Sequence, residues 1–114
     1  WLSSRGLGDV YKRQSEEFWI PYLDPTTNRV RRYFPDFFIK YKDKESNIRR
    51  SVIEVKPMRE TLQPKATKGK SRKTMINESM TYVKNQAKWK AAREFCADRK
   101  LEFKIMTEKE LGIR

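Results

Sequence analysis

Phe34-Pro35-Asp36-Phe37-Phe38-Ile39-Lys40-Tyr41 and Val52-Ile53-Glu54-Val55-Lys56 are the two stretches that decide the fold. Both are dense in β-branched and aromatic residues, the composition of a strand. Between them Asp43-Lys44-Glu45-Ser46-Asn47 is polar and carries turn formers, so the spacing predicts a hairpin centred on Glu45. In that register Asp36 faces Glu54, and opposed residues have Cβ atoms roughly 4.5 to 5.5 Å apart. Lys56 follows Glu54 by two and shares its face. Phe37, Ile39, Tyr41, Ile53 and Val55 fall on the other face. A slip of one residue would undo the arrangement.

Working outward, Phe18-Trp19-Ile20-Pro21-Tyr22 reads as an edge strand, and Asp24-Pro25-Thr26-Thr27-Asn28 is turn chemistry. The expectation is an antiparallel meander with strands at about 17–23, 30–42 and 49–56. Pro57 ends the third, since it cannot donate to a ladder and holds Lys56 extended. The segment 58–73 is basic, with Arg59, Lys65, Lys68, Lys70, Arg72 and Lys73 against Glu60 alone, and reads as a mobile loop. A helix is expected from about Thr74 to about Arg99, its apolar stripe being Ile76, Met80, Val83, Ala87, Ala91 and Phe95. Lys100 stands where a left-handed residue would end it. Leu101, Phe103 and Ile105 alternate as a fourth strand, and Thr107 with Glu110 forms a capping-box pattern. The fold class is therefore α/β (α+β), one long helix packed on a mainly antiparallel sheet.

Residues 1–14 show neither strand nor helix periodicity and read as a non-native leader, similar to translated sequencing-adapter text. Residues 15–114 are then a single domain, the size one hydrophobic core supports. The chain has 27 Lys and Arg against 15 Asp and Glu, a net charge of +12. Removing residues 1–14 takes away three bases and one acid and leaves +10, still an imbalance that favours a polyanion, with DNA foremost. An acidic membrane surface competes poorly, because no apolar run approaches the ~20 residues of a spanning helix.

Cys96 is the only cysteine and histidine is absent. That excludes an internal disulfide, a Cys-rich zinc cage, Ser-His-Asp and Cys-His nucleophiles, and any imidazole base. Catalysis must then use carboxylates, lysine and a metal ion. Asp36 and Glu54 could ligate Mg²⁺, or Mn²⁺, with the backbone carbonyl of Val55. Lys56 could orient an attacking water and offset charge developing on a scissile phosphate. In a basic chain Glu-x-Lys is more often a solvated strand face; the opposed Asp36 is what sharpens the reading. The loop lysines and arginines would contact DNA phosphates without reading sequence. Phe38 lies on the Asp36 face, where it could wall the site or stack on a base, and Trp89 reads as core.

Pro35-Asp36 followed by Glu54-Val55-Lys56 resembles the signature of the PD-(D/E)XK nuclease superfamily. Longer text around Ser15 to Pro25, Arg32 to Lys42 and Ala87 to Arg99 is similar to the head-completion nucleases of T-even-type tailed phages. The resemblance implies a restriction-endonuclease-like core and a Mg²⁺-dependent DNA endonuclease. It further implies action on packaged DNA ends, head or neck proteins as partners, and a place in the virion or host cytoplasm. It also implies a polar or basic helical side chain beside the metal, for which Lys88 and Gln86 are the candidates. The superfamily commonly adds an acid from a helix before the first strand; that helix is missing here, so an N-terminally truncated fragment with reduced or no activity is expected. The alternatives are a non-catalytic DNA-binding or virion module of the same fold, and a transposon-end or mismatch-type endonuclease.

Overall fold

The computed structural model describes residues 10–14 and 18–112. Two sheets form. The larger has the order β1 (Val10–Gln14), β4 (Phe37–Lys42), β5 (Ile48–Val55) and β6 (Glu102–Met106); the smaller pairs β2 (Ile20–Asp24) with β3 (Arg29–Tyr33). Helix α1 (Met58–Thr61) is a single turn, α2 (Arg72–Asp98) runs 27 residues, and α3 (Glu108–Leu111) closes the described chain. Among the described residues no helix is long and apolar enough to cross a membrane.

The β4–β5 hairpin takes the expected register, with Phe37 opposite Ile53 and Lys42 opposite Ile48. Its turn is built by Asp43, whose Oδ1 accepts from the backbone N–H groups of Glu45 and Asn47, both at 2.9 Å, while Ser46 adopts the left-handed conformation. Strand β5 then pairs in parallel with β6, with Glu54 opposite Ile105. Parallel neighbours need a crossover, and α2 supplies it.

The meander expected over 17–56 is corrected in one respect. The run 30–42 is broken by Phe34-Pro35-Asp36, so β3 pairs only with β2 in a sheet of its own, and β4 starts afresh in the large sheet. Pro35, which is buried, has no N–H to donate and forces the break. Val10–Gln14, which showed no periodicity, pair antiparallel with β4 as an edge strand; backbone pairing there does not require an alternating side-chain pattern.

Helix α2 starts at an N-cap Ser71, whose hydroxyl accepts from the Thr74 N–H at 3.1 Å, three residues before the expected start. Lys100 ends it with a positive φ of 56°. The expected stripe holds in its second half and is corrected in its first: Ala87, Ala91 and Phe95 are half-buried and packed against the core, Ile76, Met80 and Val83 are exposed, and the residues fully buried on α2 are Asn85, Trp89, Ala92 and Cys96. The polar Asn85 extends the buried face where no apolar residue marks it. Trp89 and Ala92 pack on Ile20, Tyr22 and Tyr33 of the small sheet, with Phe103 and Ile105 of β6 completing the cluster. The capping box at Thr107 and Glu110 is present.

Candidate functional site

Phe37 is the first residue of β4 and faces Ile53, so the next pair outward is Asp36 opposite Glu54. Asp36 Oδ2 accepts a hydrogen bond from the Val55 N–H at 2.8 Å. The aspartate is exposed, whereas Glu54 is only 6 % exposed. Burial, followed by contact with Asp36 and its negative charge, pushes the Glu54 carboxyl up to about 7, with Lys56 and the Tyr33 hydroxyl pulling the other way. Two acids are therefore crowded together at one end of a buried strand.

Lys56 is half-buried, and its N–H donates to the Met106 carbonyl at 3.0 Å, which extends the β5–β6 ladder past Val55 and fixes the backbone of the lysine. Lys88 approaches from α2. Its Nζ lies 5.9 Å from the Tyr22 ring centre and 5.8 Å from that of Tyr33. Burial holds its ammonium below the usual lysine range, and the charge of Glu54 opposes that shift. The structure thus brings Asp36, Glu54, Lys56 and Lys88 into one cluster.

Tyr33 was not singled out by the sequence. It is buried, and burial with the neighbouring Glu54 charge pushes its hydroxyl far above the usual phenol range. Its place three residues before Asp36, across the Pro35 break, gave no periodic signal. Asp24 was missed as well. Its buried carboxylate accepts from Thr26 N–H at 2.9 Å and Oγ1 at 2.6 Å, and lies 3.0 Å from Arg31 Nε and 3.8 Å from Lys84 Nζ. The Thr26 hydroxyl foremost, against the cost of burial, holds this carboxyl below the usual range. The pair with Lys84 fastens the small sheet to α2.

The remaining candidates scatter. Gln86 lines a separate cleft with Thr61, Tyr82, Arg93 and Thr107, because two residues along a helix from Lys88 is more than half a turn away. Phe38 is half-buried with its ring 5.6 Å from Phe18, which stacks edge-on against Phe95 at 5.7 Å; it packs under α2. Val55 engages Asp36 through its N–H. The segment 58–73 is more ordered than expected: α1 opens it, and Lys70 Nζ reaches Glu78 Oε2 at 3.0 Å and the Lys65 carbonyl at 3.1 Å. Arg59, Lys65 and Lys68 are exposed, and Arg72 and Lys73 lie exposed in the first turn of α2. Among the described residues no group of three or more His, Cys, Asp or Glu side chains assembles as a metal cage.

The family model described as TnsA-like endonuclease N terminal matches residues 8–108. The chain belongs to this family of PD-(D/E)XK-type nucleases. As a member of the TnsA-like endonuclease N-terminal family, it is also similar to the head completion nuclease of Enterobacteria phage T4, at 35 % identity over 97 residues. That match takes in 82 % of this chain and 62 % of the phage protein, so the chain spans about three-fifths of its relative's length. No solved structure matches the chain.

Proposed function

We propose that this TnsA-like chain is a metal-dependent DNA endonuclease that hydrolyses phosphodiester bonds, acting on packaged DNA ends during phage head completion. The observation that carries the chemistry is the opposition of Asp36 and Glu54 with the amines of Lys56 and Lys88 beside them. Two carboxylates crowded until one resists ionising are a donor set suited to a hard divalent cation, which takes oxygen ligands and keeps several waters. Asp36 and Glu54, with the Val55 carbonyl, would hold Mg²⁺ or Mn²⁺. When bound, the ion supplies Lewis-acid polarisation of a phosphate oxygen and an acidified water.

The chain's own groups do the rest. Asp36 is oriented by the Val55 N–H, so its carboxylate is presented to Glu54 in a fixed direction. Lys56, held through its backbone, orients the attacking water and offsets the charge that grows on the phosphate. Lys88 and the basic segment from Arg59 to Lys73 draw the sugar-phosphate backbone to the cluster. The name of the phage relative, a head completion nuclease, supports nuclease action at that stage; DNA ends as the substrate, head or neck proteins as partners, and the virion or host cytoplasm as the place are part of the same proposal.

The test is cleavage of linear and circular DNA with Mg²⁺, with Mn²⁺ and with chelator. Wild type should cut only with metal, and Asp36→Ala should bind DNA in chelator yet not cut. Cleavage undiminished by that substitution would refute the site. The family name favours a second reading, an endonuclease at transposon ends. Cuts confined to one defined sequence would select it.

A further inference from the structure

Segment 59–70 and the first half of α2 bound a cleft of about 710 Å³. Small-molecule sites run from about 300 to 1,000 Å³, so the space suits one compact ligand. Its outer wall is pinned at both ends. At the start the Met58 N–H donates to the Glu108 carboxylate at 3.0 Å and the Thr61 hydroxyl to the Met58 carbonyl at 2.6 Å. At the far end Lys70 Nζ bridges the Lys65 carbonyl and Glu78 on α2. Asn85 lines the cleft from α2 and is 5 % exposed, yet among the described residues its side-chain amide has no hydrogen-bond partner. Burying an amide without a partner is unfavourable, so a ligand that pairs with it recovers what the fold gives up.

We infer that this cleft receives one unpaired nucleotide of the DNA strand being cut, its base stacked on Tyr82 and hydrogen-bonded at its edge to Asn85, its phosphate held by Arg59 and Lys65. The inference rests on the DNA endonuclease reading above and adds a nucleotide subsite to it. The amide selects the class of ligand. Asn85 offers a donor and an acceptor side by side, and a nucleobase edge returns both. A metal ion engages only the carbonyl oxygen, and a phosphate only the amide N–H groups. A peptide edge has both groups but brings no phosphate for the cations at the rim. There the pairing of Lys70 with Glu78 leaves Arg59 and Lys65, both exposed, against Glu60. Tyr82 is half-buried and supplies the aromatic ring of the lining, and such a ring holds any base because every base has a π-face. Position ties the cleft to the acidic pair. Arg59 follows Lys56 by three residues, and Asn85 lies one turn before Lys88 on the same side of α2. A strand seated at Glu54 and Lys88 therefore passes the cleft.

The subsite differs in kind from the phosphate contacts of segment 58–73, since it reads a base and they read charge. The experiment is fluorescence-polarisation binding in chelator, across a salt series, of two labelled single strands of equal length. One is intact; in the other every base is replaced by a tetrahydrofuran abasic unit, which keeps the phosphates. Wild type should bind the intact strand about tenfold or more tighter. Asn85→Leu keeps the side-chain volume and removes the amide. It should lose about fivefold or more on the intact strand only, with Tm kept or raised. Arg59→Ala/Lys65→Ala should weaken both strands alike and flatten the salt dependence.

Wild-type affinity for the intact strand in a natively folded Asn85→Leu overturns the inference and leaves the DNA reading standing. So does equal loss on both strands with a lowered Tm, the signature of a structural amide. Tight binding of a free deoxynucleoside monophosphate, with intact and abasic strands bound alike, would assign the cleft to a soluble nucleotide and overturn the strand assignment. Failure of wild type to bind either strand overturns both readings. Should Asn85→Leu not fold, photocrosslinking of wild type to a 5-bromouracil oligonucleotide serves in its place. Adducts at Tyr82 support the cleft, and adducts confined elsewhere overturn it.

Discussion

Asp36 and Val55 are tied side chain to backbone across the open end of the β4–β5 hairpin, at 2.8 Å. The acid nearest solvent is thus oriented by the strand that carries its buried partner, Glu54, and local fraying of that end would separate the two. Asp36→Asn keeps an oxygen for the Val55 N–H but removes the charge. Cleavage should fall about 10²-fold or more, with DNA affinity in chelator within about twofold of wild type. Single-turnover assays alongside binding curves measure both.

Glu54 gives the fold a pH dependence of defined sign. Its folded-state value of about 7 lies above the ordinary 4.5, chiefly through burial. The native state therefore holds this proton more tightly than the unfolded chain. With respect to this group, stability is fully present below about 4.5 and is lost as the pH rises through about 7, by on the order of 3 kcal/mol. In chelator the Tm should fall over that window, and Glu54→Gln should flatten the profile. A wild-type Tm that climbs between those two values would count against the assignment.

Mg²⁺ should oppose that loss. An ion that binds the folded state alone raises Tm as its concentration increases. The rise should be largest above pH 7, where Glu54 is ionised, and absent in Asp36→Ala. Thermal denaturation with and without millimolar Mg²⁺ tests this directly.

Asp24 predicts a separate, structural phenotype. Removing the carboxylate leaves Arg31 and Lys84 without their partner and frees the turn that Thr26 completes. Asp24→Ala should lower Tm by several degrees and speed hydrogen exchange in β2 and β3 before it does so in β4 and β5. Uniform acceleration across both sheets would show that the small sheet is not an independent unit.

Cys96 offers a readout of global opening. It is buried against the sheet, and burial pushes its thiol up to about 11. Alkylation of the native chain should be slow and should follow the unfolding transition, as expected for a thiol denied both solvent and its ionised form. Rapid labelling under native conditions would indicate that the C-terminal half of α2 opens locally.

The hairpin and its acidic pair were legible in the sequence because three independent signals agreed there: alternation in 34–41, alternation in 52–56, and Asp43 with its turn formers between them. The capping box at Thr107 and the left-handed Lys100 were equally legible, being local chemistry. What failed was non-local. No periodicity within 30–42 marks that Pro35 divides the chain between two sheets, and none marks that β5 takes a parallel partner some fifty residues on. The packing face of α2 was legible only from Ala87 through Ala91 to Phe95; it was misplaced at the start of the helix, where Ile76, Met80 and Val83 display apolar periodicity toward solvent, and the polar Asn85 lies buried. Tyr33 and Lys88 join the cluster only through packing of the small sheet against α2, a relationship that adjacent residues do not encode.

The hydrogen bond from Lys56 to Met106 has a consequence for biosynthesis. Lys56 has its backbone pinned only when β6 is laid beside β5. A nascent chain halted before residue 106 would carry both acids yet have no backbone to pin the lysine that follows them. The backbone support for Lys56 would therefore arrive only once residue 106 has been made and laid beside β5.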